Sequence, residues 1–200
     1  MINEKHPRFY FFGGHIMAGF NLDLSQGSAD HNGKLETFSV AAAHASILAP
    51  GDVTVLSGTS DTDGVAGADA GAQGAAITGV IASIDPTFIG EALSDTGLPA
   101  LTAGNIKVHV DPNLNFIVEC SAALSAVDVG LNADAAVTAA TKTGGLTISN
   151  MKLDSATKAG TATLHFRIMG LVANDDGVID GLKARVRLNN TTMRAGTAGV

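Results

Sequence analysis

Apolar side chains fall at every second position in several short runs of this chain. In IKVHVD, Ile106, Val108 and Val110 alternate with Lys107, His109 and Asp111. In TLHFRI, Leu164, Phe166 and Ile168 alternate with His165 and Arg167. In KARVRL, Ala184, Val186 and Leu188 alternate with Lys183, Arg185 and Arg187. A period of two is the mark of a half-buried β-strand, because successive side chains leave opposite faces of the pleat. Gly, Asn, Asp and Pro gather between the runs and supply turns. The pattern predicts an all-β chain: a single sandwich or barrel-like domain of about nine or ten short strands, with an extended N-terminal arm. No period of 20–50 residues repeats, which argues against a solenoid or propeller.

Along the chain, residues 1–34 read as the arm and a turn, 35–190 as the body, and 191–200 as a C-terminal tail. The arm holds five of the nine aromatic residues, Phe9, Tyr10, Phe11, Phe12 and Phe20, interrupted by Gly13, Gly14 and Gly19. Rings on such a segment need a groove, on the chain's own body or on a neighbour. Pro50-Gly51-Asp52 predicts a tight turn and Val53–Leu56 a short strand. TSDTDGVAGADAGAQG predicts a long Gly-rich loop, and AAITGVIASID a buried strand. GEALSDTG is compatible with one turn of helix ended by Gly97. IKVHVDPNLNFIVEC predicts a hairpin with its turn at DPNLN, and residues 161–190 predict a second hairpin around ANDDGVIDG.

Composition narrows the classes of function. Charged residues are 16% of the chain, against about 25% in an average domain. Gly occurs 24 times in 200 residues. A small-residue, weakly charged surface suits a protein covered by neighbours. The net charge is −7, with 3 Lys/Arg against 11 Asp/Glu in residues 1–100 and 9 against 8 in residues 101–200. No basic excess of the kind a nucleic-acid partner requires is present. No apolar run approaches the roughly 20 residues of a membrane span, and the first twenty residues do not read as a signal peptide. The expectation is no nucleic acid and no membrane. A single Cys excludes an intrachain disulfide. Cys120 lies in period with Val118 and Phe116, so it reads as a small core residue.

Catalytic and metal motifs are weak. VANDDGVID places Asn174, Asp176 and Asp180 at spacings found in calcium loops, but Val172 and Lys183 stand where the end ligands belong. DTDG at 61–64 with Asp69 is a second acidic loop. The six His residues are scattered, and no phosphate-binding, dinucleotide or nucleophile-elbow motif occurs. The absence of Trp and the single Tyr disfavour a sugar-binding face. These readings predict no catalytic residue, no metal, no cofactor and no enzyme activity.

Three C-terminal segments carry a resemblance. Asp128-Val129-Gly130-Leu131-Asn132-Ala133-Asp134, then Leu153-Asp154-Ser155, then Leu171-Val172 with Arg187-Leu188-Asn189-Asn190, resemble a family of tailed-bacteriophage virion proteins regarded as head decoration or capsid cement proteins. That family's pattern runs DVGLNAD, GLSG-x-x-LDSST, then L-x-LRILGLV, RPDNEIG and AKW-x-V-x-INNH. The N-terminal half is similar more loosely, through GDVTVLSGTSDTDGV and AAITGVIASIDPT, so the resemblance spans residues 35–190. This chain departs from the pattern at HPRFYFFGGH, at ANDDGVIDG, and at KARV, where an aromatic is missing.

The resemblance implies a structural protein of the virion. It would be made in the host bacterial cytoplasm and sit on the capsid exterior. Its partners would be the major capsid protein and copies of itself, as dimers or trimers. A tail, collar or fibre-attachment protein is the alternative. The candidate partner-binding residues are the arm aromatics Phe9, Tyr10, Phe11 and Phe12 and the cations Arg167, Lys183, Arg185 and Arg187, with His165 on the same predicted face. The small-residue stretch 64–84 is a third candidate contact. Like charges on adjacent strands repel by a few tenths of a kcal/mol, so the cationic face predicts an acidic partner or the acidic half of this chain opposite it.

Overall fold

The computed structural model describes residues 19–23, 35–85, 88–89, 92–93, 96–143, 146–174, 176–193, 195–196 and 198–199. The fold is all-β; among the described residues there are sixteen strands and one 3-10 turn, at Ala126–Asp128. Among the described residues no helix is long and apolar enough to cross a membrane. Half of the strands have five or more residues and the rest two or three, so the chain is cut more finely than its alternation implied.

Strand β1 (Asn21–Leu22) precedes a barrel built from β2 (Leu35–Val40), β3 (Val53–Ser60), β4 (Ala66–Ala70), β5 (Gly79–Ile84) and β8 (Gly104–His109). Between β5 and β8 lies a small pair, β6 (Phe88–Ile89) with β7 (Ala92–Leu93). The barrel order is β2-β4-β3-β5-β8, closed by antiparallel pairing of β8 with both β2 and β5. Phe38, Val40, Ala68, Ile81, Ile106, Val108 and Val110 belong to its core, with Leu48 and Leu98.

The rest of the chain forms β9 (Asn115–Glu119), β10 (Asn132–Ala133), β11 (Ala135–Ala136), β12 (Thr141–Thr143), β13 (Leu146–Ile148), β14 (Lys152–Leu153), β15 (Phe166–Leu171) and β16 (Lys183–Leu188). Its main sheet runs β1-β9-β16-β15-β10, with every neighbour antiparallel. Ala184, Val186 and Leu188 are buried on one face of β16, beside Phe116 and Val118 of β9 and Phe166 and Ile168 of β15. Phe20, just before β1, stacks on Phe166 with ring centroids 4.4 Å apart and planes 13° off parallel. This ring of the predicted arm therefore packs on the chain's own core.

Three sequence expectations need correction. Residues 59–74 are not a long loop: β3 continues to Ser60, and Ala66–Ala70 is a barrel strand. Ala and Gly have low strand propensity, but the barrel closes there on little space. A Cβ on Gly67 would lie 2.3 Å from Ser57 Oγ. The segment read as a helical turn contributes β7 instead. The first predicted hairpin is a crossover, with β8 paired in the barrel and β9 in the main sheet. Its turn forms as expected, Asp111 Oδ1 accepting the Asn113 N–H at 2.8 Å. Alternation sets which side chains face inward and says nothing about which strand lies alongside.

The two cores share a wall. On β5, Val80 faces the main-sheet core and its neighbour Ile81 the barrel core. The turn at Pro50-Gly51-Asp52 pins this wall. Asp52 is fully buried. Its Oδ2 accepts the Ala49 N–H at 2.7 Å, and its Oδ1 accepts the Ser149 hydroxyl at 2.5 Å. Gly51 N–H donates to the Ile81 carbonyl, Ile81 N–H to the Asp52 carbonyl, and Phe20 N–H to the Gly51 carbonyl. One turn thus fastens barrel, N-terminal segment and the strand-connecting segment at 149. The described C-terminal residues also return to the body: Thr192 N–H donates to Ile77 and Gly199 N–H to Gly160.

Burial pushes the Asp52 carboxyl up to about 6 against the opposing pull of its two hydrogen bonds. A carboxyl raised in the fold stabilises it while protonated, and that contribution fades as pH rises from about 4 through 6. Relative to Asp52→Asn, the wild-type chain should lose on the order of 3 kcal/mol between pH 4 and 7 in urea unfolding. Parallel pH profiles would show that Asp52 is not held this way.

Candidate functional site

The cations of β15 and β16 form rows across the main sheet. The register sets Asn132, Arg167, Arg187 and Asn115 side by side on β10, β15, β16 and β9. The two guanidinium groups are thus direct cross-strand neighbours, as the sequence suggested. Each turns outward to an amide on its flanking strand. Arg167 Nε donates to Asn132 Oδ1 at 3.3 Å, and Arg187 Nε to Asn115 Oδ1 at 3.0 Å. Arg167 also donates to the Ala198 carbonyl. These amide acceptors on the two flanking strands draw the like charges apart.

One step along β16, Arg185 behaves differently. It donates through Nε to Asp23 Oδ2, an ion pair whose carboxylate is almost fully buried while the Arg side chain is 26% exposed. Asp23 comes from the acidic half, so that half supplies one of the expected partners. A further step places Lys183 opposite Glu119. His165 is not on this face at all. It is fully buried, just before β15 begins. Phe9, Tyr10, Phe11 and Phe12 lie outside the described residues.

Residues 128–134, 153–155 and 187–190, which carry most of the family resemblance, meet in one hydrogen-bonded knot. Asp134 Oδ1 accepts the His165 N–H at 3.2 Å. The Asp134 carbonyl accepts the Asp154 N–H, and its own N–H donates to Thr157 Oγ1. Asn189 N–H donates to the His165 carbonyl, and its side chain bridges the carbonyls of Ala162 and Leu164. Asp128 accepts the Ser125 N–H and hydroxyl and pairs with Lys158 at 2.9 Å. The Ser125 N–H first, then the Lys158 ammonium, hold its carboxyl down to about 2. Each of these motif residues satisfies backbone or charge that the fold would otherwise bury unpaired.

The loop with calcium-like spacing folds as a turn. Asn174 Oδ1 accepts the N–H groups of Asp176 and Val178, and its Nδ2 donates to Asp180. Asp61 does the same for Asp63 and Val65 in the other acidic loop. Among the described residues no group of three or more His, Cys, Asp or Glu side chains is arranged to hold a metal ion. A cleft of about 220 Å³ opens beside Cys120, between Lys152, Asn174, Asp180 and Lys183. Lys152 pairs with Glu119 at 3.1 Å, and Asp180 accepts from Leu182 N–H and Asn174, so these rim groups serve each other. Burial, reinforced by Glu119 and Asp180, pushes the Cys120 thiol up to about 12 and suppresses thiolate chemistry.

The sequence reading missed an apolar patch. Val178 and Ile179, at the tip of the β15–β16 loop, are 56% and 63% exposed, and Leu182 is 46% exposed. The Leu124 N–H bond to the Gly181 carbonyl brings this loop against the segment leading to Val127, which is 85% exposed. The signal was available: two branched aliphatics directly after an Asp-Asp-Gly turn, where polar residues are the rule. No protein-family model matches the chain, and no curated protein sequence matches it.

The two arginines should separate on substitution. Arg185→Ala strands the buried Asp23 carboxylate and should cost about 2 kcal/mol in urea unfolding. Arg187→Ala loses one half-exposed bond to a neutral amide and should cost under about 1 kcal/mol. Equal costs would remove the distinction between a structural and a surface cation.

Proposed function

We propose that this chain is a virion structural protein, a capsid cement or decoration protein that binds the outside of a phage head and stabilises contacts between major capsid subunits. The observation that carries the reading is the convergence of the resembling segments. Residues 128–134, 153–155 and 187–190 are far apart in sequence yet build one hydrogen-bonded knot, so the likeness falls on residues that determine the body of the protein. Such a body works by adding interface rather than chemistry. A specific contact of about 1,600 Å², repeated by symmetry, gains avidity from every copy. Self-association as dimers or trimers at local symmetry axes would multiply it further.

Two surfaces suit this work. The sheet face that carries the Arg167–Arg187 row is the proposed contact with an acidic capsid surface. The patch at Val127, Val178, Ile179 and Leu182 offers apolar area. The arm aromatics Phe9, Tyr10, Phe11 and Phe12 are a third proposed contact.

Reversing the row with Arg167→Glu and Arg187→Glu should weaken binding to purified heads at least tenfold at low salt, and less at high salt, as exposed charges are screened. Binding unchanged at both salts would exclude the cationic row. Deleting residues 1–18 leaves Phe20 and β1 in place. It should weaken head binding if the arm aromatics contribute, and decoration as tight as that of the full chain would exclude them.

A further inference from the structure

His165 is a titratable group that the proposed function does not use. Its imidazole is fully buried where the main sheet meets the barrel. The Ala135 N–H donates to Nδ1 at 3.2 Å, so Nδ1 carries a lone pair and the ring is neutral with its proton on Nε2. The backbone carbonyls of Ala72 and Ala75 in the barrel loop between β4 and β5 act on the ring as acceptors, too loosely placed to make an ordinary hydrogen bond with Nε2. Asp134 Oδ1 lies 3.5 Å from the same Nδ1. Phe166 presents its ring edge-on at 6.4 Å.

Nδ1 therefore has two competing neighbours. A neutral ring accepts from Ala135. A protonated ring has a hydrogen there, must give up Ala135, and can only donate to Asp134. Among the described residues Asp134 is the one charged group acting on the ring. Among the described residues, the barrel loop 71–76 brings the Gln73 amide, whose Nε2 donates to Asp154, and the segment after β16 brings the uncharged Asn189, Asn190 and Thr191.

We infer that His165 is a protonation-sensitive latch across the seam between the barrel and the five-stranded sheet, closed while its ring is neutral and opened by acid. Burial outweighs the attraction of Asp134 and the two carbonyls, so the folded imidazole takes up a proton less readily than a free one. The sign follows. Stability from the closed latch is complete above the unfolded value near 6.5 and is lost as pH falls below it, because the opened state binds the proton first. Hydrating an imidazolium requires its cover to move, and the loop 71–76 is that cover on the barrel side.

The test is made on the full chain. Nitrogen NMR at pH 7.5 should show His165 with its proton on Nε2 and an unprotonated Nδ1. As pH falls below 6.5, amide protection of Ala135, Gly71 and Ile77, corrected for intrinsic exchange, should fall by up to tenfold per pH unit. His165→Gln should abolish that acid dependence. A ring protonated on Nδ1 at pH 7.5, or the same acid slope in His165→Gln, would overturn the latch. If His165→Gln does not fold, Asp134→Asn decides. It keeps an acceptor for the His165 N–H but removes the counter-charge, so protection should keep falling to lower pH than in the wild type. An unchanged profile would overturn the inference equally.

Discussion

The strand Gly79–Ile84 serves two cores at once, and the rest of the structure depends on that. Val80 and Ile81 are sequence neighbours, but one packs under the main sheet and the other inside the barrel. Over Gly79–Ile81 the strand is buried on both faces, so the segments around that stretch must satisfy their backbone internally. The Asp52 turn does so on one flank, taking bonds from Ala49, Ser149 and Ile81. On the other flank, Thr78 N–H donates to Thr54, and Ile77 exchanges bonds with Asn190 and Thr192. Barrel and sheet are therefore not two independent bodies sharing a chain. Phe20, Val53, Ile77 and Val80 place residues of the first half inside the core of the second.

That arrangement explains why the cationic strand can exist. β16 lies in the middle of its sheet, with Ala184, Val186 and Leu188 fully buried, so its other face must carry the polar residues. With Arg167 of the neighbouring β15, four cations lie on that face of the sheet and would repel if left together. The flanking strands answer with Asn132, Asn115 and the preceding Asp23, each of which accepts from a different Arg. Two of the three acceptors are neutral amides and one is a carboxylate, on a chain of net charge −7. A basic face on an acidic body is oriented by an acidic surface, which is how the proposed capsid contact would find its register.

Much of this was legible in the sequence, and the failures share a cause. Period-two runs located β8, β9, β15 and β16, because a half-buried strand writes its burial into every second residue, and the apolar run AAITGVIASID located β5. The last hairpin was right in strands and pairing. The crossover at Asp111 was not, because its two strands look alike whether they pair with each other or with strands far away. β4 was missed because Ala66–Ala70 has no bulky residue to mark it, and its strand state comes from the barrel around it. The face of His165 was misassigned by the same alternation that succeeded for Arg167. The residue lies just outside β15, where the knot with Asp134 and Asn189 decides its direction. Asp23 and Arg185 are 162 residues apart, and nothing local announces their pairing.

Adhesion through fixed surfaces, with no reaction at their centre, is the reading on which the functional conclusion stands. Reconstruction of an intact phage particle that contains this chain decides it. Density for the β body on the outer face of the head, in copy number set by the capsid lattice and with the Arg167–Arg187 row against the major capsid protein, is the predicted result. Particles that lack the chain, or that carry it only at the tail or collar, would contradict it.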